Sequence, residues 1–207
     1  MELATLLNMI SKTESVWRYL LAAALERDER RQPSITAIAS ELGLGVSTVH
    51  KALERPTTIG AVVVHPSRGV RVIDPWRLLV LWAGKRNLEN DVLCRSTSAL
   101  SPDQIERRVQ ESDAVLSGFG GIVSHLGSNP IASYDTVVYY GAPLEDFGSD
   151  ADGPTRLLVL EPDPLLGRYG RVAPLAQCYV DLFNLPGWQA ARFVAEVNDL
   201  VAADAAA

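Results

Sequence analysis

Residues 35–53 read ITAIASELGLGVSTVHKAL, and this stretch decides the fold of the first part of the chain. Two sets of apolar residues recur in it at helical spacing: Ile38, Ala39 and Leu42, then Val46, Val49 and Leu53. Gly43 lies between the two sets and allows the positive backbone angle that a tight turn needs. The stretch therefore predicts a helix, a glycine turn and a second helix, with Ser47 and Thr48 capping the second helix.

A β-hairpin is predicted directly after these two helices. Pro56 is expected to stop the second helix, because a proline lacks the N–H group that a helix interior uses. Two β-branched runs follow at 61–64 and 69–73, joined by His65-Pro66-Ser67-Arg68-Gly69. Helix, helix and hairpin is the order of a winged helix-turn-helix, and the second helix of a helix-turn-helix enters the major groove of DNA.

The candidate DNA-binding residues lie on the second helix and on the hairpin. His50 and Lys51 are near the start of that helix, where side chains reach bases or phosphates in this motif. Arg68 and Arg71 are predicted to reach the DNA backbone or the minor groove, where they position the protein more than they specify sequence. The complete candidate set is Ser47, Thr48, His50, Lys51, Arg55, His65, Ser67, Arg68 and Arg71.

The distribution of charge is compatible with this assignment. The formal net charge of the whole chain is -6, which by itself opposes DNA binding. Residues 1–86 hold 12 Lys and Arg against 8 Asp and Glu, a net of +4, and residues 87–207 hold 7 against 17, a net of -10. The basic first part can bind phosphates by releasing counterions, whereas the acidic second part is not expected to contact nucleic acid.

The whole pattern predicts an α+β fold with two domains. Residues 1–86 are the predicted winged helix-turn-helix, and residues 87–207 are the predicted second domain of mixed α and β structure. Outside the DNA-binding motif, helices are predicted at 13–31, from Asp74-Pro75, from Ser101-Pro102-Asp103, at 113–126, 174–184 and 188–203, and strands at 91–96, 134–140 and 155–161.

The sequence carries no recognisable catalytic, metal or cofactor site. The glycines of Gly118-Phe119-Gly120-Gly121 are not followed by the lysine of a phosphate-binding loop, so close packing is the expected reason for them. Asp150 and Asp152 have the alternate spacing of a two-carboxylate metal site, but they lie in the glycine-rich loop 141–154 and are expected to be solvated. The three histidines are too widely spaced to support a metal site.

Cellular location is inferred from cysteine usage and hydropathy. Cys94 and Cys178 are too few for a disulfide framework, which favours a reducing compartment. No apolar run approaches the roughly 20 residues of a membrane helix, and the N-terminus lacks a signal-peptide pattern. A cytoplasmic protein without membrane contact is therefore expected.

Three stretches carry a likeness to a known family. They are ELGLGVSTVHKAL at 41–53, VRVIDPWRLLVLWA at 70–83 and VAPLAQCYVDLFNLPGWQAARFVAEV at 172–197. With these stretches the chain resembles the AbiEi-type antitoxins, which are the winged-helix partners of nucleotidyltransferase-like toxins in bacterial toxin–antitoxin operons. The third stretch is similar to the family's pattern of proline, glutamine, tyrosine, aspartate and leucine before a final helix.

The resemblance implies a division of labour between the two domains. The first would bind inverted repeats in its own promoter and repress the operon, with a monomer in solution pairing on the DNA. The second would neutralise the toxin, and in the type IV scheme of this family the two proteins need not form a stable complex. Direct contact with the toxin therefore stays open.

Two other functions remain open on the sequence. The second domain could be an atypical protein kinase that inactivates the toxin by phosphorylation, although the usual kinase motifs are missing. Alternatively, the chain could be a plain transcriptional regulator whose second domain senses a small molecule between its apolar helices. A nucleotidyltransferase gene beside this one would argue against the second alternative.

Overall fold

The computed structural model describes residues 11–25, 32–128, 131–144 and 153–205. Helices and strands both contribute to these ranges, so the expected α+β class is confirmed. The helices are α1 (Lys12–Leu25), α2 (Ile35–Leu42), α3 (Val46–Thr58), α4 (Pro75–Lys85), α5 (Pro102–Glu111), α6 (Gly118–Leu126), α7 (Leu175–Phe183) and α8 (Trp188–Ala205). The strands are β1 (Val62–His65), β2 (Gly69–Val72), β3 (Val92–Ser98), β4 (Val115–Ser117), β5 (Thr136–Tyr140) and β6 (Thr155–Leu160).

The deciding stretch forms α2, a tight turn and α3. Gly43 ends α2 with a φ of 64°, as the turn prediction requires. The predicted capping of α3 by Ser47 and Thr48 is wrong, because α3 already begins at Val46 and Gly45 is its N-cap without a side-chain bond. Val46 was expected in the core but is 43% exposed, because it lies in the first turn, ahead of the buried part of the helix.

Pro56 does not stop α3, contrary to the sequence prediction, and the helix continues to Thr58. A proline inside a helix leaves the carbonyl four residues earlier without its usual N–H donor. Here that carbonyl belongs to Ala52, and the indole Nε1–H of Trp17 on α1 donates to it at 2.7 Å in a buried contact. The missing backbone hydrogen bond is thus replaced by one from another helix.

Trp17→Phe should lower the free energy of unfolding by about 1–3 kcal/mol, because it leaves the buried Ala52 carbonyl without a donor. Pro56→Ala restores a backbone N–H at that point, so it should gain more stability in the Trp17→Phe background than in the wild type. A double-mutant cycle measured by urea unfolding checks this coupling. Strictly additive effects would contradict the assigned role of the indole.

The four strands that follow the hairpin form a sheet in the order β3-β6-β5-β4. Strand β6 pairs with β3 antiparallel and with β5 parallel, and β5 pairs with β4 antiparallel. The prediction of a helix over 113–126 is wrong in its first part, because strand β4 lies there and only α6 is helical. A buried strand of three residues shows no periodicity that separates it from a helix, and Gly118, with a φ of 60°, makes the transition.

Helices α1 and α4 pack against α7, which belongs to the other half of the sequence. One apolar cluster accordingly runs from Val16 and Trp82 to Tyr179 and Val201. The predicted boundary at residue 86 stays a prediction, and the packed core extends across it. No helix in the described ranges has the length and apolar character needed to cross a membrane.

Candidate nucleic-acid interface

Helix α3 presents two opposite faces. The buried face is formed by Val49, Ala52, Leu53 and Pro56, and the first three belong to the apolar core. His50, Lys51 and Arg55 are exposed on the other side, together with Ser47, whereas Thr48 is half-buried at the margin. The apolar spacing of the sequence predicted which side is buried, and therefore which side is available to a ligand.

The hairpin is held against the chain segment that precedes α2. The N–H of Val70 donates to the carbonyl oxygen of Pro33 at 2.9 Å. Gly69, with a φ of 86°, lies so close to the carbonyls of Gln32 and Pro33 that a Cβ atom would not fit. The hairpin and the start of α2 are therefore fixed relative to one another.

The tip of the hairpin is ordered by its own side chains. The Nδ1 atom of His65 lies 3.1 Å from the hydroxyl oxygen of Ser67 and accepts from the Ser67 N–H at 3.3 Å. Arg68 follows at the tip, and Arg71 stands opposite Val63 in the strand pairing. All four polar residues, His65, Ser67, Arg68 and Arg71, are exposed.

The cations of this surface are electrostatically unpaired within the described part of the chain. No described carboxylate forms an ion pair with Lys51, Arg55, Arg68 or Arg71, whereas Arg95, Arg156 and Arg171, which are exposed elsewhere, each pair with an acid. Arg95 pairs with Glu89, for example. Four cations without an ion-pair partner, against the single carboxylate of Glu54 on α3, give this helix face and the adjoining hairpin a net positive charge that attracts polyanions.

The nine candidate residues thus all lie on α3 or on the hairpin, and eight of the nine are exposed. Contact between the halves is made elsewhere, for example where Arg168 donates to the backbone oxygen of Glu41 on α2 at 3.3 Å. Their role in DNA binding stays a prediction.

A buried ionic network joins the two halves of the sequence, and no local sequence pattern predicted it. The guanidinium of Arg86, directly after α4, lies 3.3 Å from Glu14, 2.7 Å from Asp91 and 3.2 Å from Asp181. It also donates to the hydroxyl oxygen of Tyr140 at 2.9 Å. The side chains of these four ion-pairing residues are at most 10% exposed.

Helix α7 supplies the other side of this network. Asp181 accepts hydrogen bonds from Ser117 at 2.7 Å and from Gln177 at 2.9 Å, and it also accepts one from Tyr140. Gln177 in turn accepts from Arg18 on α1, and Arg18 pairs with Asp163 at 2.6 Å. Every carboxylate of the network is therefore hydrogen-bonded, as buried charges require.

The protonation states in this network follow from burial and from the neighbouring charges. Burial alone would lower the pKa of Arg86, but the carboxylates of Asp181, Asp91 and Glu14 hold this pKa above its ordinary value, so the guanidinium stays charged. Burial raises the pKa of Asp91 to about 6 despite the adjacent guanidinium. Burial also raises the pKa of Tyr140, which stays a neutral phenol that can donate to Asp181.

The glycines of 118–121 serve close packing, as expected. A Cβ atom at Gly121 would overlap the sulfur of Cys178, and one at Gly120 would overlap the carboxylate of Glu106. Tyr134 donates to that carboxylate at 2.9 Å, and its ring stacks on Phe119. Burial raises the pKa of Glu106 to about 7, although the hydrogen bond from Tyr134 opposes the shift.

Glu106 should make the stability of the fold depend on pH near neutrality. The pKa of Glu106 is about 7 in the folded state, above the value of about 4.3 expected in the unfolded chain. The contribution of the protonated Glu106 to the free energy of unfolding is therefore complete below pH 4 and is lost as the pH rises through 7. From pH 5 to pH 8, the free energy of unfolding of wild type should fall by about 1–2 kcal/mol more than that of Glu106→Gln, after a discount for solvent screening. Urea unfolding at both pH values measures the difference, and parallel pH profiles would contradict it.

The acidic pair Asp150 and Asp152 lies outside the described residues. Within the described ranges, no group of three or more His, Cys, Asp and Glu residues could hold a metal ion. The buried network was missed because its members are far apart in sequence. One signal was available: Gln177 and Asp181 are one helical turn apart in an otherwise apolar helix.

No family model, curated protein or solved structure matches this chain. A function for it therefore has to follow from its own residues.

Proposed function

We propose that this chain is a DNA-binding repressor of the winged helix-turn-helix type that also serves as an antitoxin. The observation that carries the DNA-binding part is the unpaired cationic surface of α3 and the hairpin, where Lys51, Arg55, Arg68 and Arg71 have no described counter-charge. Double-stranded DNA is the ligand that fits, because a helix of this kind fills a major groove while an adjacent basic hairpin follows the phosphates.

The two parts of the surface have different tasks in this proposal. Ser47 and Lys51 lie in the first two turns of the exposed face of α3 and contact base edges in the groove. Arg68 and Arg71 on the hairpin contact phosphates, which fixes the position of the protein without reading sequence. The close packing of Gly69 on Gln32 and Pro33 keeps the hairpin at one distance from the helices.

The antitoxin part of the proposal comes from the resemblance to the AbiEi-type family. In this proposal the chain represses its own promoter by binding inverted repeats, one copy on each repeat, and residues 87–207 neutralise a nucleotidyltransferase-like toxin. The net charge of -10 in those residues is complementary to the positively charged surface with which a protein binds RNA. Direct contact between the two proteins is a hypothesis that rests on this complementarity.

Fluorescence anisotropy with the purified chain and the DNA upstream of its gene tests the first part. We expect binding that is tighter to that DNA than to a scrambled duplex of equal length, and that weakens steeply with salt. Equal affinity for the two duplexes at every salt concentration would contradict a specific repressor.

Co-expression with the neighbouring toxin tests the second part. We expect the chain to rescue the growth of cells that express the toxin. If the contact between the two proteins is electrostatic, they should co-purify at low salt and less so at moderate salt. Absence of association at both salt concentrations would remove the charge argument. A toxin that gains the mass of a phosphate on incubation with the chain, magnesium and ATP would instead favour the kinase alternative.

A further inference from the structure

Helix α3 carries one acidic residue in the middle of its exposed face. Ser47, Lys51, Glu54 and Thr58 follow one another at spacings of four, three and four residues, so they form a single stripe along the helix. This stripe lies opposite the buried residues of α3. Glu54 is exposed, and no described residue forms an ion pair with its carboxylate.

A carboxylate at this position needs a particular partner in the proposed complex. Phosphates would repel Glu54, and the neighbouring cations Lys51 and Arg55 are on the same helix but do not pair with it. Two bases present an exocyclic amino group at the edge of the major groove, cytosine and adenine. The amino group of adenine lies between two acceptors, its own N7 and O4 of the paired thymine, which repel a carboxylate, whereas the amino group of cytosine has an acceptor, O6 of the paired guanine, on one side only, so cytosine is the favoured partner. A carboxylate left without such a donor would lose its water and gain nothing.

We propose that Glu54 is a specificity-determining residue that accepts a hydrogen bond from the amino group of a cytosine in the operator. This inference rests on the proposed function, because it requires α3 to lie in the major groove. Glu54 adds little attraction to DNA as such and acts by discrimination: a base pair that presents acceptor atoms instead of the cytosine amino group at that point leaves the carboxylate unpaired. Lys51 and the hairpin arginines supply the affinity.

Selection of bound sequences from a random duplex library tests the proposal. The full-length wild type, Glu54→Ala, Glu54→Gln and the control Glu111→Gln are each used for selection. Glu111 is an exposed helical glutamate at the end of α5, so its replacement removes the same charge away from α3. Anisotropy with single base-pair replacements in the best wild-type duplex then gives the discrimination at each position.

We expect wild type and Glu111→Gln to prefer a cytosine at one position by roughly tenfold. Glu54→Ala should lose this preference while binding a scrambled duplex at least as tightly as wild type, because a repulsive charge is gone. Glu54→Gln should shift the preference toward adenine, which a glutamine side chain contacts in bidentate fashion.

Two results would overturn the proposal, and they are distinguishable from each other. If Glu54→Ala binds DNA with an unchanged base preference, Glu54 does not read a base, although the repressor proposal stands. If wild type binds no duplex at all, the DNA-binding proposal fails and the role of Glu54 fails with it. Because Glu54 is exposed, the urea midpoint of both variants should equal that of wild type, which verifies that they fold.

Discussion

Arg86→Met should lower the free energy of unfolding by about 3–5 kcal/mol, because it leaves a cluster of buried acids without a counter-charge. Glu14, Asp91 and Asp181 all lie within 3.3 Å of the Arg86 guanidinium, and none of their side chains is more than 10% exposed. Methionine matches much of the arginine's length but brings no charge. Urea unfolding followed by circular dichroism measures the loss.

The matched control for this prediction is Arg95→Met, which breaks the exposed ion pair with Glu89. In that pair the two side chains are 55% and 65% exposed, so water and salt screen the interaction. The loss should be at most about 1 kcal/mol. If the two substitutions destabilise the chain equally, the buried network does not have the energetic role assigned to it.

Replacing Arg68 and Arg71 together by alanine should weaken DNA binding about 100-fold, because two charged contacts to phosphates are lost. The loss should be nearly the same on operator and scrambled duplexes, since phosphates carry no sequence information. The slope of log affinity against log salt should become shallower by about two. Anisotropy titrations at several salt concentrations measure both quantities.

The control for the hairpin variant removes the same charge from the second half of the chain. Arg107 on α5 and Arg192 on α8 are both exposed, and replacing both with alanine should leave affinity and salt slope unchanged. A similar loss in the control would mean that overall charge governs binding. An unaffected hairpin variant would mean that the hairpin does not contact DNA.

Local sequence patterns predicted the helices that begin at a characteristic capping residue. Ser101 caps α5 through a reciprocal capping box with Gln104, and Asp74 accepts from the Arg77 N–H at the start of α4, as their positions in the sequence indicate. The exposed face of α3 was predictable for a similar reason, because its buried residues recur at helical spacing.

The features that the sequence did not predict depend on residues far away in the chain. Pro56 is accommodated in α3 because Trp17, which lies 35 residues before Ala52, donates to the Ala52 carbonyl in place of the missing backbone N–H. Strand β4 is defined by its pairing with β5 rather than by its own three residues. Arg86 similarly acquires its acids from α1, from α7 and from the turn before β3, which no local pattern brings together.

Consecutive residues of α1 serve opposite halves of the molecule: Trp17 donates to Ala52 on α3, and Arg18 donates to Asp163 and Gln177. Cutting the polypeptide between the halves would leave Trp17 with Ala52 but would remove both partners of the buried Arg18 side chain. Residues 1–86 are consequently a poor candidate for transplantation into a chimera. The two proposed activities, repression and neutralisation, are better separated by replacing surface side chains in the intact chain.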